Sequence, residues 1–408
     1  MSKLRIAFWG NQDNFSYRVS KWLRAKGHLV DLYLMRKGES IRSSPELIDR
    51  DLEGGNYPDW IKTYNNRYSN LLISDKKIID QIEKRYDIIL ISGSMGMLFA
   101  PKFTIPMICF SMGPSQQGVI RMWDNLGLKY RILWSVIYFF IRKTLARCQK
   151  VLICGEYEIY SLWKLNQIGK VIIYGVPEDV KGNQERVDKK LLEELNGKYE
   201  KYQCVFLWLS RVDMSNESSP MYKGTEIFLE AASKLINKGA NIRIVVGKHG
   251  ADLDKFRDEA IRLGVDSYID WVEHLPYYKL LTYLSISNAV IFDEIKDVAF
   301  TSSGMTRESL SVGGIVFRKN SDYMTRKGYS STSFPVYDCV NADEICTHMS
   351  DILSWNKERF LSEKLKRLSW AENNLDWTMQ IDNLVNILDE IVAVNKSALK
   401  INSKITSK

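Results

Sequence analysis

The chain has little that would support metal or disulfide chemistry. Four histidines are spread over 408 residues, and the six cysteines (Cys109, Cys148, Cys154, Cys204, Cys339 and Cys346) include no CxxC pair. No zinc cluster or thioredoxin-type pair is therefore expected. Most of the cysteines lie in apolar segments, as in a reduced, cytosolic protein. Long apolar runs are missing too. The longest, Ile132 to Ile141, is far short of the ~20 residues that cross a bilayer. The opening MSKLRIAFWG has no extended apolar region and no cleavage site, so no signal peptide is expected. There is no repeat at solenoid periods and no true low-complexity segment. A G-x-G-x-x-G turn is absent as well. The first strand runs into Gly10-Asn11-Gln12-Asp13-Asn14, without the second and third glycines, which argues against an NAD-dependent dehydrogenase.

What is present describes a globular protein, with 45% apolar and 26% charged residues. At this length two domains of roughly 150–200 residues are expected. The net charge of +8 suits a nucleotide, a phosphorylated substrate or an anionic membrane surface. It is too diffuse to argue for nucleic acid, and no nucleic-acid partner is expected.

The periodicities alternate strand and helix. Leu4 to Trp9 is an apolar strand, Tyr17 to Ala25 a helix, and Leu29 to Met35 a second strand, with Gly27 placed to end the helix. This β–loop–α–β opening is the first unit of a doubly wound sheet, whose ligands lie beyond the carboxyl ends of the strands. Gly10, Asn11, Ser94 and Ser111 stand at such strand ends and are candidates for a phosphate or acceptor loop. Residues 36–70 read as a polar loop with short helices. Gly175-Val176-Pro177-Glu178-Asp179, followed by a charged stretch from Lys181 to Lys201, reads as a domain boundary. Beyond it, strands at Cys204 to Leu209, Ile242 to Val246, Tyr268 to Val272, Ala289 to Phe292 and Ile315 to Phe317 alternate with helices. Alternating β and α in both halves implies two Rossmann-like domains. Trp377 to Val394 reads as a long amphipathic helix and the Lys/Ser-rich end as a frayed tail.

Phe300 to Phe317 (FTSSGMTRESLSVGGIVF) draws these features together. A Gly/Ser loop opening a helix offers backbone N–H groups and the positive end of a helix dipole to a phosphate. Ser302, Ser303 and Gly304 would supply those donors. Glu308 lies about one turn inside the helix, where a carboxylate can accept hydrogen bonds from a ribose diol. The segment 121–150 combines Arg131, Arg142, Lys143, Arg147 and Lys150 with Trp123, Trp134, Tyr138, Phe139 and Phe140. It is a candidate for contact with an anionic membrane surface. Leu133, Ile137 and Ile141 recur at spacing four, which reads equally as the core stripe of an ordinary helix.

The order of short motifs resembles a GT-B glycosyltransferase of the family 4 retaining type, over nearly the whole chain. Lys26-Gly27-His28-Leu29-Val30 is similar to the family's KGHxV turn, and Ile172 to Pro177 to its I-x-N-G-V-D segment. Leu209-Ser210-Arg211 with Lys223-Gly224 resembles the GR…KG pair. Ile244 to Gly247 resembles L-x-I-V-G-x-G, Asp270 to Leu275 resembles V-x-F-x-G-x-V, and Glu308 to Gly314 resembles E-A-M-A-x-G-x-P-V. The resemblance implies an α/β protein of two Rossmann-like doubly wound domains facing across a cleft, with a C-terminal helix crossing back to the N-terminal domain. The implied boundaries are 1–177 for the acceptor-side domain, 178–375 for the nucleotide-sugar domain, 376–395 for the crossing helix and 396–408 for the tail.

It also implies a function. A sugar would pass, with retention, from a UDP- or GDP-linked donor to a glycan or lipid-linked acceptor, in surface polysaccharide or glycolipid assembly at the inner face of the cell membrane. By the same resemblance Arg211 and Lys223 form the diphosphate clamp, Glu308 binds ribose, and Gly247 and Val272 line the donor site. No metal and no cofactor are implied. Three departures stand out. Arg211 and Lys223 are twelve positions apart, wider than the family's spacing. Phe300 occupies the position of a further acid, with Asp293, Glu294 and Asp297 near but out of register. No catalytic-looking histidine marks the N-terminal domain. They leave a GT-B-like protein without activity, serving as a partner or glycan-binding subunit, as the alternative.

Overall fold

A computed structural model of the chain describes residues 3–35, 44–52, 55–64, 76–93, 103–111, 135, 139, 141–153, 170–174, 177–214, 222–295, 303–319 and 335–406. The chain divides into two compact units, one of Met1–Val176 with Thr378–Lys408 and one of Pro177–Trp377.

The first unit is built on a seven-stranded parallel sheet. Its elements are β1 (Arg5–Trp9), α1 (Phe15–Ala25), β2 (Leu29–Met35), β3 (Ile61–Tyr64), α2 (Lys76–Arg85), β4 (Ile88–Ser92), β5 (Met107–Ser111), β6 (Lys150–Ile153) and β7 (Val171–Ile173). The strand order is β3-β2-β1-β4-β5-β6-β7. Ile88 to Ser92 is buried at every position, the continuous apolar run of a strand covered on both faces. The order reverses between β1 and β4, which pair in the register Ile6↔Ile88. β3 was not expected, because the polar stretch around it hides four residues that only pair as a sheet edge against Leu32 to Met35. Over 121–150 the described residues are few. Ile141 and Leu145 are buried, Arg142 and Lys143 are exposed, and Phe139 is 61% exposed.

The second unit carries a six-stranded parallel sheet in the order β10-β9-β8-β11-β12-β13. In chain order its elements are α3 (Val180–Arg186), α4 (Lys189–Tyr199), β8 (Cys204–Trp208), α5 (Thr225–Asn237), β9 (Ile242–Gly247), α6 (Leu253–Arg262), β10 (Ile269–Val272), α7 (Tyr277–Leu284), β11 (Ala289–Phe292), α8 (Gly304–Ser311), β12 (Ile315–Arg318), β13 (Val336–Asp338), α9 (Ala342–Ile352) and α10 (Lys357–Asn374). The charged stretch from Lys181 to Lys201, which follows the expected boundary, folds as the pair α3 and α4. Asp179 and Asp188 cap them through Gly182 N and Leu191 N, and Val180, Asn183, Leu195 and Tyr199 are buried. Surface lysines and glutamates there conceal a narrow apolar stripe.

The sheet core is stiffened by a row of aromatic rings across its middle strands. Phe206–Phe292 and Phe292–Phe317 have centroids 4.9 and 5.0 Å apart, and Tyr337 stacks on Phe317 at 4.9 Å. Each fully buried ring contributes on the order of 2–3 kcal/mol. The chain enters this unit at Pro177 and leaves at Trp377. The two crossings are tied together, with Glu178 N donating to Leu375 O (2.8 Å) and Trp377 N to Glu178 O (2.9 Å).

The last helix, α11 (Trp377–Thr406), runs through the residues expected to fray. Ile381, Leu384, Val385, Leu388, Ile391 and Val392 are buried along one stripe. Tyr174 donates to Gln380 O (3.0 Å) and Lys26 pairs with Asp382 (2.6 Å), both within the first unit.

Candidate functional site

In a doubly wound sheet the loops beyond two strands diverge where the strand order reverses, leaving a crevice for a ligand. In the second unit that point lies between β8 and β11, which pair directly (Val290↔Phe206). β8 is followed by Ser210 and Arg211, and β11 by Asp293 and Glu294. Asp293 is fully buried. Its Oδ1 accepts from Lys223 Nζ (2.6 Å) and Ser210 Oγ (3.0 Å), and its Oδ2 from Thr306 Oγ1 (2.8 Å). Ser303 also hydrogen-bonds to it. Lys223 Nζ reaches Ser210 Oγ at 3.4 Å and stands 3.7 Å from Glu294 Oε1. Arg318, buried at the end of β12, donates to Thr306 Oγ1 (3.2 Å) and Glu294 Oε2 (3.2 Å).

Burial alone would raise the Asp293 carboxyl. The Lys223 ammonium, the Arg318 guanidinium and the hydrogen bonds from Lys223 and Ser303 override it, and the group is held well below the usual carboxylate range. Burial alone would likewise lower the Lys223 ammonium, but Asp293 and Glu294 together raise it. Both groups are therefore charged at neutral pH.

The wide spacing of Arg211 and Lys223 is closed in space. Ser210, adjacent to Arg211, touches both Lys223 and Asp293. Residues 215–221 between them lie outside the described residues, as do Phe300 and Asp297. Gly224, next to Lys223, adopts a left-handed φ of 78°, and a Cβ there would stand 1.8 Å from Ile295 O. Only glycine lets the Lys223 segment lie this close to the end of β11, where Ile295 N donates to Lys223 O (2.8 Å). Arg211 is partly buried, and Val212 after it is fixed by a hydrogen bond from its N–H to His249 O (2.9 Å).

α8 opens beside this cluster. Ser303 stands at its N-cap, but its side chain does not cap the helix; its hydroxyl serves Asp293 instead. The Glu308 carboxylate folds back toward the helix start, with Oε1 4.0 Å from where a Cβ on Gly304 would be. Ser302 lies outside the described residues. Gly247 ends β9 and is buried, and the Val272 carbonyl at the end of β10 accepts from Lys248 N (2.7 Å). His249 and His274 meet edge to face there, their ring centroids 5.7 Å apart.

Arg211, Lys223, Ser303, Gly304 and Glu308 thus share one end of one sheet with Gly247 and Val272. The candidates of the first unit belong to a separate switch point, between β1 and β4. Gly10 ends β1, with its N–H donating to Tyr33 O (3.2 Å). Asn11 is buried. Its Nδ2 donates to Asn14 Oδ1 (2.9 Å) and its Oδ1 accepts from Tyr17 N (2.9 Å), so its amide secures the start of α1. Ser111 ends β5, paired with Ile153, and its side chain lies outside the described residues, as does Ser94 altogether.

Sequence reasoning gave no role to Asp293 or Ser210 and did not single out Thr306 and Arg318. The available signal was an acid pair, Asp293-Glu294, directly after a fully apolar strand at the expected strand end. Family register had led away from it. Five described cysteines are buried thiols outside any disulfide. Among the described residues no group of three or more His, Cys, Asp or Glu could hold a metal ion, and no helix is long and apolar enough to cross a membrane.

No protein-family model and no curated protein matches the sequence. Solved structures do match its fold. A glycosyltransferase from Rickettsia africae superposes with a TM-score of 0.65 at 13% identity, over 96% of this chain and 99% of that one. HepE of Anabaena, crystallised with UDP and glucose, gives 0.66 at 10% identity, over 95% and 100%. Sucrose-phosphate synthase from Thermosynechococcus elongatus gives 0.65 at 12% identity, over 96% and 100%. Their agreement over nearly the full length of each chain, together with two doubly wound parallel sheets and a last helix returned to the first unit, shows that this chain has the GT-B fold.

Proposed function

We propose that the protein is a glycosyltransferase that takes its sugar from a nucleotide-sugar, bound at the strand ends of the second unit. The observation that carries this reading is the Ser210–Lys223–Asp293 cluster. It brings the Arg211 and Lys223 segments to the switch point, beside an α8 N-terminus whose N-cap side chain is directed elsewhere. Arg211 supplies a planar fork of donors and Lys223 a compact ammonium to a diphosphate. The first N–H groups of α8 add dipoles, and Glu308, folded back over that helix start, accepts from ribose hydroxyls. The neighbour HepE, crystallised with UDP and with UDP-glucose, supports a uridine nucleotide as donor.

Departure of a nucleoside diphosphate builds negative charge on its terminal oxygens. Arg211, Lys223 and the α8 amides stabilise that charge in place, without reorganisation. In this reading the diphosphate is neutralised by protein groups, with no metal and no cofactor taking part. The sugar passes with retention. The acceptor hydroxyl attacks from the face the diphosphate leaves, and a phosphate oxygen takes its proton. The acceptor is a glycan or a lipid-linked sugar, and the exposed Phe139, Arg142 and Lys143 edge of the first unit is the proposed contact with an anionic membrane. One observation favours a second reading, a nucleotide-blind partner or glycan-binding subunit: the Lys223 ammonium is already neutralised by Asp293.

Calorimetric titration with UDP, GDP and ADP separates the two. Saturable binding of one nucleotide supports the transferase and identifies the donor base. A folded protein that binds none of them refutes it and leaves the partner reading.

A further inference from the structure

We propose that Asp293 is the positioning residue of this nucleotide site, holding the Lys223 ammonium and the N-terminus of α8 in one frame. The inference rests on the donor reading above and extends it to a residue that touches no ligand. Asp293 is fully buried, so it acts only through the groups it holds. Those groups come from four segments: Ser210 after β8, Lys223 before α5, and Ser303 and Thr306 at the start of α8, with Arg318 of β12 joined through Thr306. Each segment carries a part of the proposed diphosphate site or adjoins one. A loop-borne lysine has four rotatable side-chain bonds and places its charge poorly. Here its ammonium is anchored at 2.6 Å to a carboxylate that three hydroxyls fix in turn.

The Lys223 side chain keeps 13% of its surface exposed while Asp293 has none. The cation therefore faces the crevice and the anion backs it. An ammonium has three donors. Among the described residues Asp293 and Ser210 accept two of them and Glu294 Oε1 stands farther off at 3.7 Å; in the proposal the third goes to a phosphate oxygen. A pair serving stability alone has no need of this asymmetry, since apolar replacement of a buried pair is often neutral or stabilising.

The charges facing Lys223 are Asp293 and Glu294 beyond β11 and Arg318 at the end of β12. With Asp293 neutralised, burial and Arg318 disfavour the ammonium and Glu294 alone supports it. Its proton is then lost at lower pH than in the parent. A purely structural role of Asp293 would weaken binding without moving its pH dependence.

The test is calorimetric titration of UDP, or of whichever nucleotide the parent binds, between pH 7 and 10. It compares the parent, Asp293→Asn, Lys223→Met and the double variant. Asp293→Asn is expected to lower affinity about tenfold at neutral pH and to lose affinity relative to the parent increasingly toward pH 10, where the parent's Lys223, held above the ordinary lysine value, keeps its proton. In the Lys223→Met background the same change is expected to add little, because it acts through the lysine. Ser210→Ala, which keeps both charges but removes the hydroxyl between them, should weaken binding in the same direction by a smaller factor. It serves if Asp293→Asn does not fold. A ratio of Asp293→Asn to parent affinity that stays constant from pH 7 to 10, or equal losses with and without Lys223, overturns the inference while leaving the donor reading intact. For Ser210→Ala the overturning result is parent-like affinity. A parent that binds no nucleotide overturns both.

Discussion

Gly224→Ala is the sharpest single test of how the site is assembled. The residue sits at φ 78°, and a methyl there would lie 1.8 Å from Ile295 O, against a floor near 3.0 Å for real contacts. The two segments must therefore separate by about 1 Å. The left-handed backbone costs alanine about 1–2 kcal/mol. The separation sacrifices the Ile295 N to Lys223 O hydrogen bond, about 1 kcal/mol more. Together these give roughly 2–3 kcal/mol, a large fraction of a typical stability of about 5–15 kcal/mol but not all of it. The variant should fold with a lowered denaturant midpoint. Its functional loss should be larger than its stability loss suggests, because a shift of about 1 Å at a charge-stabilising group can cost on the order of a hundredfold. Urea unfolding, nucleotide titration and turnover of a nucleotide-sugar, run on the same preparation, provide the check. A variant within about 0.5 kcal/mol of the parent and with parent-like affinity would refute the reasoning.

Three further outcomes follow from the same structure. Glu308→Ala should weaken nucleoside diphosphate binding about tenfold, as loss of a ribose acceptor predicts, and calorimetry with the free nucleotide reads it directly. Arg211→Ala should lower kcat more than it raises KM, because its charge matters most as the diphosphate departs; steady-state kinetics with a nucleotide-sugar decide this. Lys364 is buried with its Nζ donating to Ser285 O (3.0 Å) and Ile286 O (2.6 Å), and burial pushes its ammonium down to about 7. The unfolded chain then holds the extra proton between pH 7 and 10.5, the ordinary lysine value. Stability gained from this group rises with pH across that window, by at most about 1.4 kcal/mol per unit. Denaturant midpoints of the parent and Lys364→Met at pH 7 and 9 should differ in slope accordingly, and parallel pH profiles would contradict it.

Much of the architecture was legible in the chain itself. Fully buried parallel strands need unbroken apolar runs, and Cys204 to Trp208, Ile242 to Gly247 and Ala289 to Phe292 supply them wherever they sit in the fold. Helix periodicity marked α5, α6 and α7. Glycines at turns and the order of short motifs pointed to two doubly wound units. Two of the four edge strands were illegible: β3 and β13 are four and three residues long and stand in polar surroundings, whereas the edge strand β10 was marked by its apolar residues from Tyr268 to Val272. The paired helices α3 and α4 were hidden by their charged outer faces.

The candidate site divides along the same line. Ser303, Gly304 and Glu308 could be named from local sequence, because a Gly/Ser loop and a helix start are local features, whereas Arg211 and Lys223 were named only through the motif order that resembles the glycosyltransferase family. That the eleven residues between Arg211 and Lys223 bring both segments onto one serine could not be read there, since it depends on where β11 ends. Asn11 at its strand end looked like a ligand contact in the sequence, and the tertiary structure turned its amide inward to hold α1. Asp293 shows the converse. As a letter after an apolar strand it is one acid among 49 Asp and Glu. It becomes central only when the sheet brings β8, β11 and β12 together and buries its carboxylate among donors from segments up to 83 positions away. Burial and long-range hydrogen bonding are properties of the fold, and a carboxylate's role follows from the partners that surround it.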